Sequence, residues 1–183
     1  STEILENSSE QTELPFNTWD VHITKGTVLT EFGHTERKGY FLKDGIILCA
    51  IEYGEHERII DIVMPNNFFC AYNSFISGNP SDIKVYSLTD CTIEYILKKD
   101  LQEAYHHSLT ANKFARYLKE NILLKKVQRE KDFLTKTAEE SYIQMLNENP
   151  EIVQYVPINK IAQYLGIHPE SLSRIRKKLT FLT

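Results

Sequence analysis

Cysteine is scarce in this chain, and its placement does not suit a metal. Only Cys49, Cys70 and Cys91 occur in 183 residues, far apart, odd in number and with no C-x-x-C pair. That spacing argues against a zinc ribbon or an iron–sulfur cluster. It fits small apolar residues buried in strands of a protein kept in a reducing cytoplasm. A long hydrophobic run is missing as well. No window approaches a membrane span, and no basic-plus-apolar leader opens the sequence. The reading is therefore cytoplasmic, with no membrane partner. There is no H-x-H pair, so His22, His34 and His56 give little support to a cupin-like metal site. His106 and His107 are adjacent on a predicted helix and point apart, which leaves haem ligation unsupported. Neither a phosphate-loop glycine pattern nor a nucleophile elbow occurs. No catalytic residue, cofactor or metal is expected, and the chain does not read as an enzyme. Positive charge is in deficit overall: the net charge is −4. A surface that coats nucleic acid everywhere is thereby disfavoured, whereas a local DNA-binding end is allowed.

What is present divides into three stretches and a short lead. Residues 1–16 are polar and acidic and carry no clear fold signal. Residues 17–97 read as short strands rich in β-branched and aromatic residues: Tyr40–Leu42, Ile46–Ile51, Arg58–Met64, Ile83–Leu88 and Thr92–Ile96. Turn signals such as Asp44-Gly45, Tyr53-Gly54-Glu55 and Pro65-Asn66-Asn67 separate them. Many short strands at close spacing predict an antiparallel barrel or sandwich. Residues 98–132 then lack Gly and Pro, and helix formers dominate. Leu101, Tyr105, Leu109, Ala115, Leu118 and Ile122 form one apolar stripe. About 34 residues of continuous helix would extend about 50 Å. A stripe that outlasts any nearby segment predicts a dimer seam; the alternative is a helix that covers the β-domain. A short helix over about 137–147 follows, within a helical end covering 133–183.

That end holds the most informative stretch, from Val156 to Leu179. Ile161, Ala162 and Leu165 share one face of a first helix. Gly166 permits a tight turn, Ile167 plugs the corner, and Pro169 opens a second helix. Leu172, Ile175 and Leu179 form its buried stripe. Its other face carries Glu170, Ser171, Ser173, Arg174, Lys177 and Lys178. A small residue, a glycine four positions on and an aliphatic residue six beyond that meet the needs of two steeply crossing helices, a helix-turn-helix. A plain αα-hairpin used only for packing would look similar. Charge favours DNA: residues 151–183 carry five basic and two acidic side chains, a balance of +3, which leaves −7 for the rest of the chain. No strand hairpin is expected after the second helix.

A β-rich domain, a long helix and a C-terminal helix-turn-helix, in that order, resemble the Crp/Fnr family of bacterial transcription regulators. The resemblance rests on Gly26, Gly33 and Gly45 as turn glycines and on Asn67-Phe68-Phe69 where the family's ligand cassette begins. Its most specific part is Gly166-Ile-His-Pro-Glu-Ser-Leu-Ser-Arg174, which matches G-x-(S/T)-x-E-(S/T)-(V/L)-x-R. It implies an α+β chain: an N-terminal antiparallel β-roll (a double-stranded β-helix, jelly-roll-like), a dimerisation helix and a DNA-binding end. The implied partners are double-stranded DNA with a two-fold-related site, a second copy of the chain as homodimer, RNA polymerase and a small-molecule effector. Glu170 and Arg174 take the family's base-reading positions. A carboxylate accepts from cytosine N4, and a guanidinium makes two bonds to guanine O6 and N7. Pro169 stands where many members carry arginine, so the family's usual half-site sequence does not carry over to this chain. Asn159, His168, Ser171, Lys177 and Lys178 are read as phosphate contacts.

The same resemblance bears on the effector. Cyclic-nucleotide-binding members supply a glutamate for the ribose and an arginine–serine pair for the phosphate. Here Ala71 stands for the glutamate, Ser81 for the arginine and Asp82 for the serine. A phosphate would lose its bidentate cation and meet a carboxylate. Cyclic AMP and cyclic GMP are therefore not expected to bind. The cassette that remains looks like one from a branch without an assigned effector. It gives Phe69, Cys70, Ala71, Tyr72, Ser74, Phe75, Ser81 and Asp82 as a candidate pocket of aromatic walls and hydroxyls. The alternative is that these aromatics are core. For the whole chain, the alternative function is a ligand-binding or protein-interaction module whose helical end does not touch DNA.

Overall fold

The computed structural model describes residues 16–180. Two four-stranded antiparallel sheets form a roll. One contains β1 (Trp19–Ile23), β8 (Cys91–Leu97), β3 (Lys38–Asp44) and β6 (Asn67–Phe69), in that order. The other contains β2 (Val28–Thr30), β7 (Ile83–Ser87), β4 (Ile47–Tyr53) and β5 (His56–Val63). Between β6 and β7 lies a short helix, α1 (Tyr72–Ser77). Six helices follow β8: α2 (Lys98–His107), α3 (Leu109–Thr135), α4 (Ala138–Glu148), α5 (Pro150–Tyr155), α6 (Ile158–Leu165) and α7 (Pro169–Thr180). The chain is thus α+β, with a jelly-roll-like β-roll before a helical end.

Strand β4 explains why the sequence reads there as an unbroken apolar run. Ile47 and Cys49 point into the roll, where they join Tyr40, Leu42, Val63, Phe69, Val85, Cys91 and Ile93. Leu48 and Ala50 point the other way. With Ile46, Ile59 and Ile62 they meet Tyr142, Met145, Ile152, Val156, Ile161, Ala162 and Leu172 of the helical end. A strand buried on both faces needs no alternation. Gly45 makes the turn into β4 with φ +95°; a Cβ there would collide with Asp90 O and Cys91 Sγ. Glycine is needed at that corner on both counts.

The helical stretch after β8 is not continuous. Ser108 adopts extended φ and ψ of −131° and 117°, ending α2 and starting α3. Its hydroxyl accepts the Ala111 N–H at 3.1 Å, and Asn112 Nδ2 donates to the carbonyls of Tyr105 (2.6 Å) and Ser108 (3.0 Å). Ser and Asn side chains compete with the helix ladder in this way, and here they win. The single helix over 98–131 is corrected to two. Beyond it, Thr137 and Glu140 form a reciprocal capping box that starts α4. Helix α5, opened by Pro150, was not foreseen. Its Ile152 and the following Val156 belong to the shared core.

Candidate nucleic-acid interface

Helices α6 and α7 build the helix-turn-helix. Gly166 is left-handed at φ 73° and ψ 29°, and its N–H reaches the Ala162 and Gln163 carbonyls. The Ile167 N–H also returns to Ala162 O, at 3.0 Å. These bonds satisfy the carbonyls that the end of α6 leaves free. A Cβ at 166 would press on Arg58 Nη2, a side-chain end that can move aside, so it is the positive φ that holds this position to glycine. Ala162 is buried without exposure, as the close approach of α6 requires. The carbonyl of His168 accepts from the Ser171 and Leu172 N–H groups, so α7 begins cleanly at Pro169.

Burial on α7 separates two faces. Leu172 is inaccessible, and Ile175 and Leu179 pack against the same core. Glu170, Ser173, Arg174 and Lys177 are exposed, and Ser171 is half-buried between the faces. Glu170 and Arg174, four positions apart, are neighbours on the outer face. His168 and Asn159 are also exposed, the latter on the first turn of α6. Lys178 differs from the rest: its Nζ is 2.8 Å from Glu139 Oε1 on α4. That ion pair directs it toward the protein. Lys177 is exposed and, among the described residues, makes no such ion pair.

Two arginines that the sequence reading missed brace this unit on the roll and on α3. Arg129 of α3 lies 3.6 Å from the centroid of the Tyr164 ring and donates to the Tyr164 carbonyl at 3.1 Å. Burial raises the Tyr164 phenol pKa, and Arg129 offsets part of that rise. Arg58 of β5 stands over the rings of Tyr53 and Phe133, each at 5.5 Å. Neither arginine has a sequence signature, because the partners come from distant segments.

The candidate effector residues divide into two groups. Phe69, Cys70, Tyr72 and Phe75 border a cavity of about 280 Å³ between strands β3, β6 and β8 and helices α2 and α3, Phe69 and Cys70 from the core of the roll. Ala71 and Ser74 are buried beside it, and Ser81 is buried elsewhere. Ser74 Oγ donates to Asn79 O at 2.5 Å and accepts the Glu36 N–H at 2.8 Å. Ser81 Oγ donates to Ile83 O at 2.7 Å and accepts the Ile83 N–H at 3.0 Å. Both serines are therefore occupied by backbone. Asp82 is exposed and lines no part of the cavity. A pocket combining all eight residues is corrected to one that keeps four. Nearby, Glu36 is a buried carboxylate that sequence reasoning did not single out. Thr30 Oγ1 and the Lys38 N–H both donate to it.

The apolar stripe is corrected too. Leu101, Tyr105, Ala115, Leu118 and Ile122 line that same cavity and so face their own β-roll, while Leu109 is exposed. The outward apolar residues of α3 are Leu109, Tyr117, Leu123, Leu124, Val127, Phe133 and Leu134. Cys49, Cys70 and Cys91 are all free and buried, and burial pushes each thiol pKa up. Among the described residues no group of three or more His, Cys, Asp and Glu comes together as a metal set, and no helix is long and apolar enough to cross a membrane.

No protein-family model matches the chain, and no curated protein matches it. Solved structures do. FixK2 from Bradyrhizobium japonicum superposes with a TM-score of 0.79 at 15% identity, covering 91% of this chain and 86% of that one. A putative Crp/Fnr-family regulator from Eubacterium rectale gives 0.73 at 15%, covering 90% and 79%. The c-di-GMP-responsive regulator CLP from Xanthomonas campestris gives 0.70 at 17%, covering 89% and 86%. The chain has the fold of Crp/Fnr transcription regulators, β-roll and helix-turn-helix included.

Proposed function

We propose that the chain is a sequence-specific DNA-binding transcription regulator of Crp/Fnr type and not an enzyme, with α7 as the recognition helix in the major groove. The observation that carries this reading is the outer face of α7. A carboxylate and a guanidinium stand one turn apart on a rigid helix, exposed and without an ion pair between them. Both are groups that read base edges. Asn159, His168, Ser171 and Lys177 surround them with phosphate-binding chemistry. Lys177→Ala is expected to weaken all duplexes alike and to reduce the slope of log affinity against log salt by about one. Fluorescence anisotropy across a salt series measures it. Salt-independent binding of the wild type would favour a protein-interaction module.

The regulator acts as a homodimer on a two-fold-related site. Support comes from α3: Tyr117, Leu124, Val127 and Leu134 are exposed at spacings of seven, three and seven, the heptad pattern of a two-helix seam. Leu124→Glu is expected to give monomer by light scattering. Leu118→Glu faces the cavity and is expected to destabilise the fold instead. A Leu124→Glu protein that stays dimeric would place the interface elsewhere. RNA polymerase is a further partner of such a regulator, and a small effector at the β-roll is its control.

That effector is not a cyclic nucleotide. Ala71 has no carboxylate for a ribose, Ser81 is bonded to its own strand, and Asp82 would repel a phosphate. Calorimetry with cyclic AMP and cyclic GMP is expected to give no heat at micromolar concentrations. A micromolar or tighter fit to either would overturn this part of the reading.

A further inference from the structure

The cavity between strands β3, β6 and β8 and helices α2 and α3 has a definite chemistry. Its wall is almost wholly apolar and dominated by rings: Phe41, Phe68, Phe75, Tyr95, Tyr105 and Phe114 among them. Phe114 meets Phe68 edge-on at 5.6 Å, and Phe68 meets Phe41 at 4.8 Å, so the wall is a packed aromatic surface. A ligand with many polar groups would lose hydration here without replacement.

Charge at the cavity is mixed, with ammonium groups in excess. Among the described residues Glu94 is the one carboxylate in the lining; Lys43 Nζ lies 3.1 Å from it and is shared with Asp20 at 2.5 Å. Among the described residues Lys119 is the one ammonium in the lining, and it stands over the Tyr105 ring at 6.0 Å. Among the described residues no carboxylate pairs with it. Two more ammonium groups overhang lining rings: Lys38 lies 4.3 Å from the Tyr95 centroid and Lys98 5.7 Å from that of Phe75. In a chain of net charge −4, this is a local positive setting around an apolar hollow.

We infer that this cavity binds a single-headed amphipathic anion, a medium-chain or aryl-alkyl carboxylate, with its apolar body among the rings and its carboxylate at Lys119. The cavity wall is shared by the roll and by α2–α3, so an occupant touches the sensor sheet and the helix that carries the dimer stripe together. The regulatory meaning of the site rests on the DNA-binding reading above; the binding itself does not.

Trp19 is a built-in reporter, since it stacks on Tyr95 at 5.3 Å and is the chain's only tryptophan. The full chain is titrated with decanoate, 1-decanol and decyltrimethylammonium while Trp19 emission is followed, with calorimetry in parallel. Decanoate is expected to bind at least about tenfold more tightly than the cation, the scale of one charge-assisted contact. Lys119→Met should weaken decanoate about tenfold and leave decanol unchanged. Leu118→Trp, which fills the hollow, should abolish both. Lys119 is exposed, so its variant keeps the test decisive if Leu118→Trp fails to fold. Equal affinity for all three probes, no binding at all, or an unaltered Lys119→Met would overturn the inference. DNA affinity is measured on the same samples. Ligand binding lost with DNA binding intact removes this site alone, and the converse removes the regulator reading alone.

Discussion

Leu172→Ala is expected to lower the stability of the whole chain by about 2–5 kcal/mol, the range for a buried leucine whose cavity cannot collapse. Leu172 has no exposed surface and sits in a cluster that joins α4, α5, α6 and α7 to the outer face of β4 and β5. That cluster is continuous, so the loss cannot stay in the helical end. Urea unfolding followed by far-UV circular dichroism and by Trp19 emission should shift to one lower midpoint. Trp19 lies on β1, in the opposite sheet, and so reports on the roll. If the helical signal moved while Trp19 kept its wild-type midpoint, the roll and the helical end would be separate folding units and the shared core would be of little consequence.

Glu170→Ala and Arg174→Ala are each expected to cost about 1–3 kcal/mol on the best DNA site and to relax preference at one base pair. That is a loss of about fivefold to 150-fold in affinity. On the proposed docking, truncation removes a base-reading group, and it leaves α7 in place because neither side chain contributes to the buried stripe. Melting temperatures should stay near wild type, which separates this effect from that of Leu172. Lys178→Ala should do less, since Lys178 is engaged by Glu139. A Glu170→Ala protein that keeps its base preference would mean that α7 docks in another register.

The helix-turn-helix was legible because its constraints are local. Ala162, Gly166, Pro169 and Leu172 are each fixed by helix geometry within eleven residues, and all four take the expected backbone or burial state. The β-roll was legible as a class through its turns and β-branched strands, but its strand order was not. Pairings such as Tyr40 with both Tyr95 and Phe69 join residues far apart in the chain. The stripe on residues 101–122 was read as a dimer seam; five of its six residues line the cavity against the roll, and Leu109 lies off that face. Periodicity shows which residues share a face and not what covers it, and the covering surface is formed by strands β3, β6 and β8. The break at Ser108 depends on two side chains competing for backbone groups, a contest that propensity alone does not decide. Ser74 and Ser81 were read as pocket hydroxyls; each is bonded to backbone once the chain is folded.

The most direct test of the central claim is selection of bound duplexes from a random DNA library, with wild type and Arg174→Ala in parallel. The account predicts an inverted repeat whose half-sites lie about one helical turn, about 34–36 Å, apart, with one base position degraded in the variant. Enrichment that is identical for the two proteins, or a single unpaired half-site, would contradict it.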